Sequence, residues 1–471
     1  MRNKILFLSF LLFAYLVGQS QIKVASVLGD NMVLQRNSEV KIWGSGKPGE
    51  KLVIKAGWTL TPAVALCNEK GDWLVKMKTS EAGGPYTILI ASLKEKLVLR
   101  NIMLGEVWLC SGQSNMEMPM AGFNDSPING ANDLLLDADN DNIRLYKVAR
   151  AVSSVPVDTC SGQWSVASAE TATGFSAVGY LYARLLQQKL KVPVGVICSS
   201  WGGSAIEAWM SHENIVPFAE AYKRTTQEKS AIHQRASNLY NGMIAPLLNY
   251  VIKGAIWYQG ESNIGNYKEY ASLQAGMVAN WRNDFGLGDF PFYFVQIAPY
   301  WYNNSKAINS ALQRDEQLKS VALIPHSGMA CTIDVGEEKN IHPAEKLTVA
   351  RRLALWAFAE SYGIKGVQYK SPTFANMAVK DTIAVLSFEN AAMGLSTFGK
   401  DVSCFEIAGS DSIFYPAQLA IKAKQANVWS PKVKSPVAVR YAFSNFPVTN
   451  GFLYNTSGLP VPSFRTDNWA K

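Results

Sequence analysis

The chain has 471 residues, 48% hydrophobic and 17% charged, with a formal net charge of +8. That composition excludes a disordered or fibrous chain, and the length calls for two or three domains rather than one core. The positive excess is not gathered into Lys/Arg blocks, so nucleic-acid binding is not expected.

In chain order, Arg2 and Lys4 precede an apolar run from Ile5 to Val17, and Gly18 and Ser20 supply small residues after it. This is the pattern of a secretory leader over 1–20, whose removal lowers the formal charge from +8 to +6. The run is short for a membrane span, and no other stretch reaches about 18 apolar residues. A secreted or periplasmic protein without a membrane span is therefore expected. Cys110, Cys198 and Cys331 lie in apolar runs and are expected as buried thiols, while the spacing of Cys67, Cys160 and Cys404 leaves disulfide pairing open. No close cysteine pair points to a metal, and no metal or organic cofactor is expected.

Residues 21–102 show short alternating runs between turns: Val40 and Ile42, Leu52 and Ile54, then Trp73, Val75 and Met77. Period two and the absence of a long helical pattern predict a small β domain. Over 103–365 strands and helices alternate. Strands are predicted at Val107–Cys110, Val194–Cys198, Gly254–Tyr258, Phe292–Ile297 and Met329–Ile333, and helices at Tyr180–Leu190, Tyr267–Arg282, Ser310–Val321 and Pro343–Ser361. The alternation predicts an α/β unit with a parallel sheet covered on both faces. The acidic stretch Asp137–Asp141 lacks the glycine and glutamate of a calcium loop and reads as an acidic surface loop. From 366 to 471 short strands return, at Ile383–Phe388, Ala417–Lys422 and Val437–Ala442, predicting a second β domain of sandwich type.

Four of the five core strands run into polar or glycine-bearing turns, where α/β sheets bind ligands. The first gives Ser111-Gly-Gln-Ser-Asn115, the second Trp201-Gly-Gly-Ser204, the third Gln259-Gly-Glu-Ser-Asn263, and the fifth Asp334 through Glu337 to His342. A serine after a glycine, flanked by the amides Gln113 and Asn115, suits a nucleophile with donors beside it. Met116 in place of a second glycine sets it apart from the nucleophile elbow Gly-x-Ser-x-Gly. Gly202-Gly203 before a helix start suits an oxyanion site. Of four histidines, His212, His233 and His326 read as structural or solvated, and His342 alone sits at a strand-to-helix junction with acids nearby. A nucleophile, an oxyanion hole and a base at sheet ends make an acyl-transfer site.

Taken together, Trp108-Leu-Cys-Ser-Gly-Gln-Ser-Asn-Met116, Trp201-Gly-Gly-Ser204, Trp257-Tyr-Gln-Gly-Glu-Ser-Asn263 and Asn340-Ile-His-Pro343 resemble the sialate O-acetylesterase family, within the SGNH-type carbohydrate esterases. Asp30–Arg36, Phe405–Gly409 and Pro436–Ala442 extend the resemblance to nearly the whole chain beyond the leader. It implies an SGNH-hydrolase-like three-layer parallel-sheet core flanked by N-terminal and C-terminal β domains. It also implies Ser114 as nucleophile, His342 as general base, and Gly203 and Gln259, with the Ser114 amide, as the oxyanion hole. SGNH enzymes usually carry an aspartate three residues before the histidine, where this chain has Lys339. Asp334 is then preferred to Glu337 as the orienting acid because strand ends are more rigid than loops; a Ser-His dyad held by a backbone carbonyl is the alternative. Gln113, Asn115, Trp201, Glu261 and Arg314 are candidate substrate contacts, Arg314 for a sialate carboxylate. The expected activity is removal of O-acetyl groups from sugars, first from O-acetylated sialic acid. The alternatives are acetylated xylan or another glycan as substrate, or a non-catalytic carbohydrate-binding protein.

Overall fold

The computed structural model describes residues 22–227 and 230–469; the leader expected over 1–20 lies outside the described residues. Seven strands make the central sheet: β1 (Lys96–Gly112), β2 (Asn140–Lys147), β3 (Trp164–Ala167), β4 (Val194–Ser200), β5 (Gly254–Tyr258), β6 (Phe292–Val295) and β7 (Ser327–Ala330). Their spatial order is β3-β2-β4-β1-β5-β6-β7, parallel throughout except for the antiparallel edge strand β3.

Successive side chains of a strand point to opposite faces, and here both faces are buried. Val107, Leu109, Ile197, Ala255, Trp257, Phe292 and Phe294 belong to one apolar cluster. Helix α1 (Ser114–Glu117) caps the end of β1, and α2 (Ala177–Leu190) follows it in the chain. Helix α3 (Tyr270–Phe285) closes the first cluster through Leu273, Met277 and Trp281, with α4 (Asn309–Leu323) packed beside it. The alternate residues Trp108, Cys110, Val196, Cys198, Ile256, Tyr258, Tyr293 and Val295 belong to a second cluster. It is closed by Leu181 and Leu186 of α2 and by Val349 and Leu353 of α5 (Lys346–Trp356).

Two differences from the sequence reading have physical causes. Strand β2 was not expected, because its polar start and Arg144 hide the alternation; Arg144 is buried, and its guanidinium reaches Asn101 Oδ1 at 3.3 Å. The last helix begins at Lys346 rather than Pro343, because Glu337 already accepts the Ala344 N–H (2.7 Å) and holds this stretch as a turn.

The boundary expected at 102/103 falls inside β1. Its first half pairs antiparallel with Gly83–Ala91, Val33–Gln35 adds in parallel at Met103–Gly105, and its second half is the centre of the core sheet. One strand thus belongs to both units. After the core, two four-stranded sheets bury Leu386, Phe388, Val428, Phe405, Ile407 and Val439 in a common cluster. Cys331 and Ile333, expected to extend β7, leave the sheet and join that cluster instead. All six cysteines are unpaired thiols.

Gly112 ends β1 at φ +138°, and a Cβ there would stand 2.1 Å from the Tyr258 carbonyl oxygen of β5. Glycine is required on both counts. Gly112→Ala is expected to destabilise the fold by about 3 kcal/mol or more, read as a fall in the denaturant midpoint; an unchanged midpoint would show that the two strand ends can separate without cost.

Candidate active site

The chain leaves β1 through Gly112 and Gln113, whose N–H donates to the Tyr258 carbonyl at 2.9 Å, and starts α1 at Ser114. Ser114 is half-buried at the first helical position, where the backbone N–H has no intrahelical acceptor. The turn after β4 lies against it: a Cβ on Gly202 would stand 3.2 Å from Ser114 Cβ. Glu117 fixes that turn by accepting the Gly202 N–H at 2.7 Å while pairing with Arg150 through two 2.7 Å bonds. Gly203, at φ +72°, has its carbonyl bound by Gln234 Nε2 (2.8 Å). Its N–H, like that of Ser114, meets no protein acceptor among the described residues. Two free amides beside one hydroxyl can receive a developing oxyanion.

His342 stands in the turn before α5, its N–H donating to Asn340 Oδ1 at 3.0 Å and its ring edge-on to Phe123 at 5.1 Å between centroids. The Asn115 side chain brings it to Ser114: Nδ2 donates to the Ile341 carbonyl at 3.0 Å, linking the residue after the serine to the residue before the histidine. Burial, with the neighbouring Lys346 cation second, lowers His342 to about 4. A cavity of about 530 Å³ is lined by Glu117, Phe123, Lys147, Arg150, Cys198 and Ser200; it adjoins the site through Phe123, which packs on His342, and Glu117, which holds Gly202.

Neither expected orienting acid reaches the imidazole. Asp334 makes a two-bond pair with Arg352 of α5 (2.7 Å each), and burial, with the Asp334 charge second, raises the pKa of the nearby Tyr454 phenol of the C-terminal domain. Glu337 accepts the Ala344 N–H and Asn340 Nδ2 (3.0 Å). The carbonyl alternative is not realised either, since no protein group among the described residues is hydrogen-bonded to the ring.

Gln259 is fully buried and donates both amide protons, to the Ser204 carbonyl (3.1 Å) and Asn263 Oδ1 (2.7 Å), while its Oε1 accepts from Tyr270 (2.8 Å). No donor is left for an oxyanion, so its side chain braces the turn instead. Arg314 is fully buried and bonded to Ser463 Oγ, Ser310 Oγ and the carbonyls of Ala442 and Ser444. It ties α4 to the C-terminal domain and is closed to a substrate carboxylate. Trp201 stacks on His233 (5.2 Å, 3°) with the Arg150 guanidinium 5.3 Å from its ring, so partners already cover it. Gln113 Oε1 accepts the Gly260 and Ser262 N–H groups (3.2 and 3.3 Å), and Asn115 and Glu261 bond each other at 2.7 Å. Gln113 and Asn115 are buried and Glu261 half-buried, and all three are struts between turns.

Sequence reasoning missed Lys346 and Arg150. A lysine in an amphipathic helix and an arginine in a loop carry no local signal. His233 is distinguished by its position, 3.6 Å from where a Cβ on Gly203 would lie, which only the fold reveals.

A parallel sheet with a serine-bearing helix at its carboxyl edge and a histidine in a facing turn has the make-up of an α/β ester hydrolase. The family model for carbohydrate esterase, sialic acid-specific acetylesterase, matches residues 104–353. The chain belongs to that family of carbohydrate esterases and is an esterase. Sialate O-acetylesterases of Mus musculus and Homo sapiens are each 28% identical to it, over 94% of this chain and 94% and 92% of theirs. The crystal structure of a carbohydrate acetylesterase from Xanthomonas citri matches with a TM-score of 0.87 at 34% identity, covering 95% of this chain and 100% of that one.

Asp334→Asn tests the reassignment of that acid. Breaking a buried pair is expected to lower stability by about 3 kcal/mol while kcat stays within a few-fold of wild type. A collapse of kcat at unchanged stability would restore Asp334 as the group that orients His342.

Proposed function

We infer that this esterase removes O-acetyl groups from sugars by a serine mechanism, with O-acetylated sialic acid as its first substrate. The observation that carries the reading is the placement of Ser114 against Gly202-Gly203 and its link, through Asn115, to the His342 turn. Ser114 Oγ attacks the acetyl carbonyl carbon as its proton passes to His342, and the Ser114 and Gly203 amides receive the oxyanion. Collapse of the tetrahedral species breaks the bond to the sugar oxygen, which takes the proton from His342. Water, deprotonated by His342, then hydrolyses the acetyl-enzyme and frees acetate. No metal enters these steps. The family's substrate class and the acetylesterase relatives support the sugar ester. The sheet order, with helices on both faces, supports the SGNH-type three-layer core.

Lys147 and Arg150 line the cavity together with Glu117; Arg150 is paired with that acid, so Lys147 is the cation left to take the part first given to Arg314. It favours an acidic sugar over neutral xylan, which is the second reading. Arg2, Lys4 and the apolar run after them support export to the periplasm or beyond. Among the described residues no helix is long and apolar enough to cross a membrane.

Acetate release from 9-O-acetylated sialic acid and from acetylated xylan distinguishes the substrates. Ser114→Ala is expected to fold as wild type and lose about 10⁴-fold or more in kcat; activity near wild type would remove Ser114 from the chemistry. A general base works only when unprotonated, so kcat/KM is expected to hold as pH falls and to decline on passing through about 4. An acid limb centred at the ordinary imidazole value of 6.5 would show that His342 is neither desolvated nor next to a cation in the working enzyme.

A further inference from the structure

Lys346 opens α5 with 1% of its surface exposed, and its Nζ makes one hydrogen bond, to Asn115 Oδ1 at 2.6 Å. An ammonium carries three N–H groups and is costly to bury without an ion-pair partner. No carboxylate among the described residues lies within ion-pair distance; the Tyr258 ring centroid is 5.7 Å away. Across the same asparagine, Glu261 Oε1 accepts from Asn115 Nδ2 at 2.7 Å, while its Oε2 is buried without a partner.

Below about 7, where Lys346 is charged, its ammonium only donates, whereas the ionised Glu261 carboxylate and the Ile341 carbonyl only accept. Asn115 is therefore locked in one orientation, oxygen toward the lysine and nitrogen toward the other two. The reversed amide would set N–H against ammonium and oxygen against carboxylate. We propose that Lys346 and Glu261 are positioning residues of the esterase: by locking the Asn115 amide they hold the Ile341 carbonyl, and with it His342, in register with Ser114. This is the task that a carboxylate on the imidazole performs in a triad. It rests on the serine reading above.

The lysine also bears on the charge of the base. Against His342 stand Lys346 from α5 and the uncharged Phe123 ring, while Glu337 and Lys339 belong to its own loop and Glu261 lies beyond Asn115. Lys339 is drawn off over the Trp301 ring at 3.1 Å, and Glu337 is held by Asn340 and Ala344. Lys346 is the cation whose field lowers His342. Burial brings Lys346 itself to about 7, with Glu261 and then Glu337 opposing, so it is charged across the acid range in which His342 titrates.

Lys346→Met and Asn115→Asp test this. The first removes the donor and the charge at similar volume; the second keeps an acceptor for Lys346 but cannot donate to Glu261 or Ile341. For both, kcat per phosphonate-titrated active site is expected to fall about a hundredfold, with KM within about twofold. In Lys346→Met the acid limb of kcat/KM should move to higher pH, because the cation that opposed imidazole protonation is gone. Both variants retaining wild-type kcat, with the acid limb of Lys346→Met unmoved, would overturn the proposal. If Lys346→Met does not fold, Asn115→Asp decides by kcat and KM. Ser114→Ala in the same assay separates the two levels of inference. An active Ser114→Ala fails the serine reading itself, whereas an inactive one beside wild-type-like Lys346→Met and Asn115→Asp fails only the positioning role.

Discussion

The close approach of two strand ends governs this site. β1 and β5 run side by side until Gly112 meets the Tyr258 carbonyl, and the missing Cβ lets them stay in contact while the chain turns. From that contact Gln113 bonds back to Tyr258 and braces the turn after β5, α1 begins at Ser114, and Glu117 captures Gly202 from the turn after β4. Three turns from three strands are thus indexed to one backbone crossing. Because β1 also runs unbroken into the N-terminal β sheet, the position of Ser114 is anchored well beyond the core.

The acids around the site are committed to architecture. Glu117 pairs with Arg150, Asp334 with Arg352, and Glu106, at the base of the sheet, with Arg36. The Asp334 pair joins α5 to the segment whose Cys331 and Ile333 pack into the C-terminal cluster. Arg314 makes a parallel link from α4 using neutral oxygens alone, and burial lowers it to about 10. The C-terminal domain therefore bears on the helices behind the site through buried polar contacts, which are sensitive to the loss of either partner.

Much of this was legible in the sequence where a local rule applied. Apolar runs located five of the seven core strands, and the turns after four of them drew attention to Ser114, Gly203 and His342. What was not legible depends on partners brought from elsewhere. Gln259 looked like an oxyanion donor, but Ser204, Asn263 and Tyr270 converge on it from three segments. Asp334 looked free at a strand end, yet Arg352 on the following helix takes it. Lys346 reads as one more helical lysine until the fold closes Asn115 over it. The register of a strand is written in its own residues, whereas the saturation of a buried polar group is a property of the packed whole.

An imidazole without a carboxylate and near a cation changes how the proposed chemistry is balanced. In a triad the acid stabilises the imidazolium and strengthens the base, which helps the attack of serine. Here burial and Lys346 favour the neutral ring, so His342 is a weaker base and its conjugate acid a stronger one. The attack then leans more on the oxyanion amides and on the positioning of Ser114, while protonation of the departing sugar oxygen becomes easier. An acetyl ester tolerates that shift, since its carbonyl is more electrophilic than an amide's and its alkoxide departs more readily than an amine anion would. A rigid hydrogen-bonded frame around a neutral imidazole suits an esterase better than a peptidase, and in this chain that frame is built from Asn115, Glu261 and Lys346 rather than from an acid on the ring.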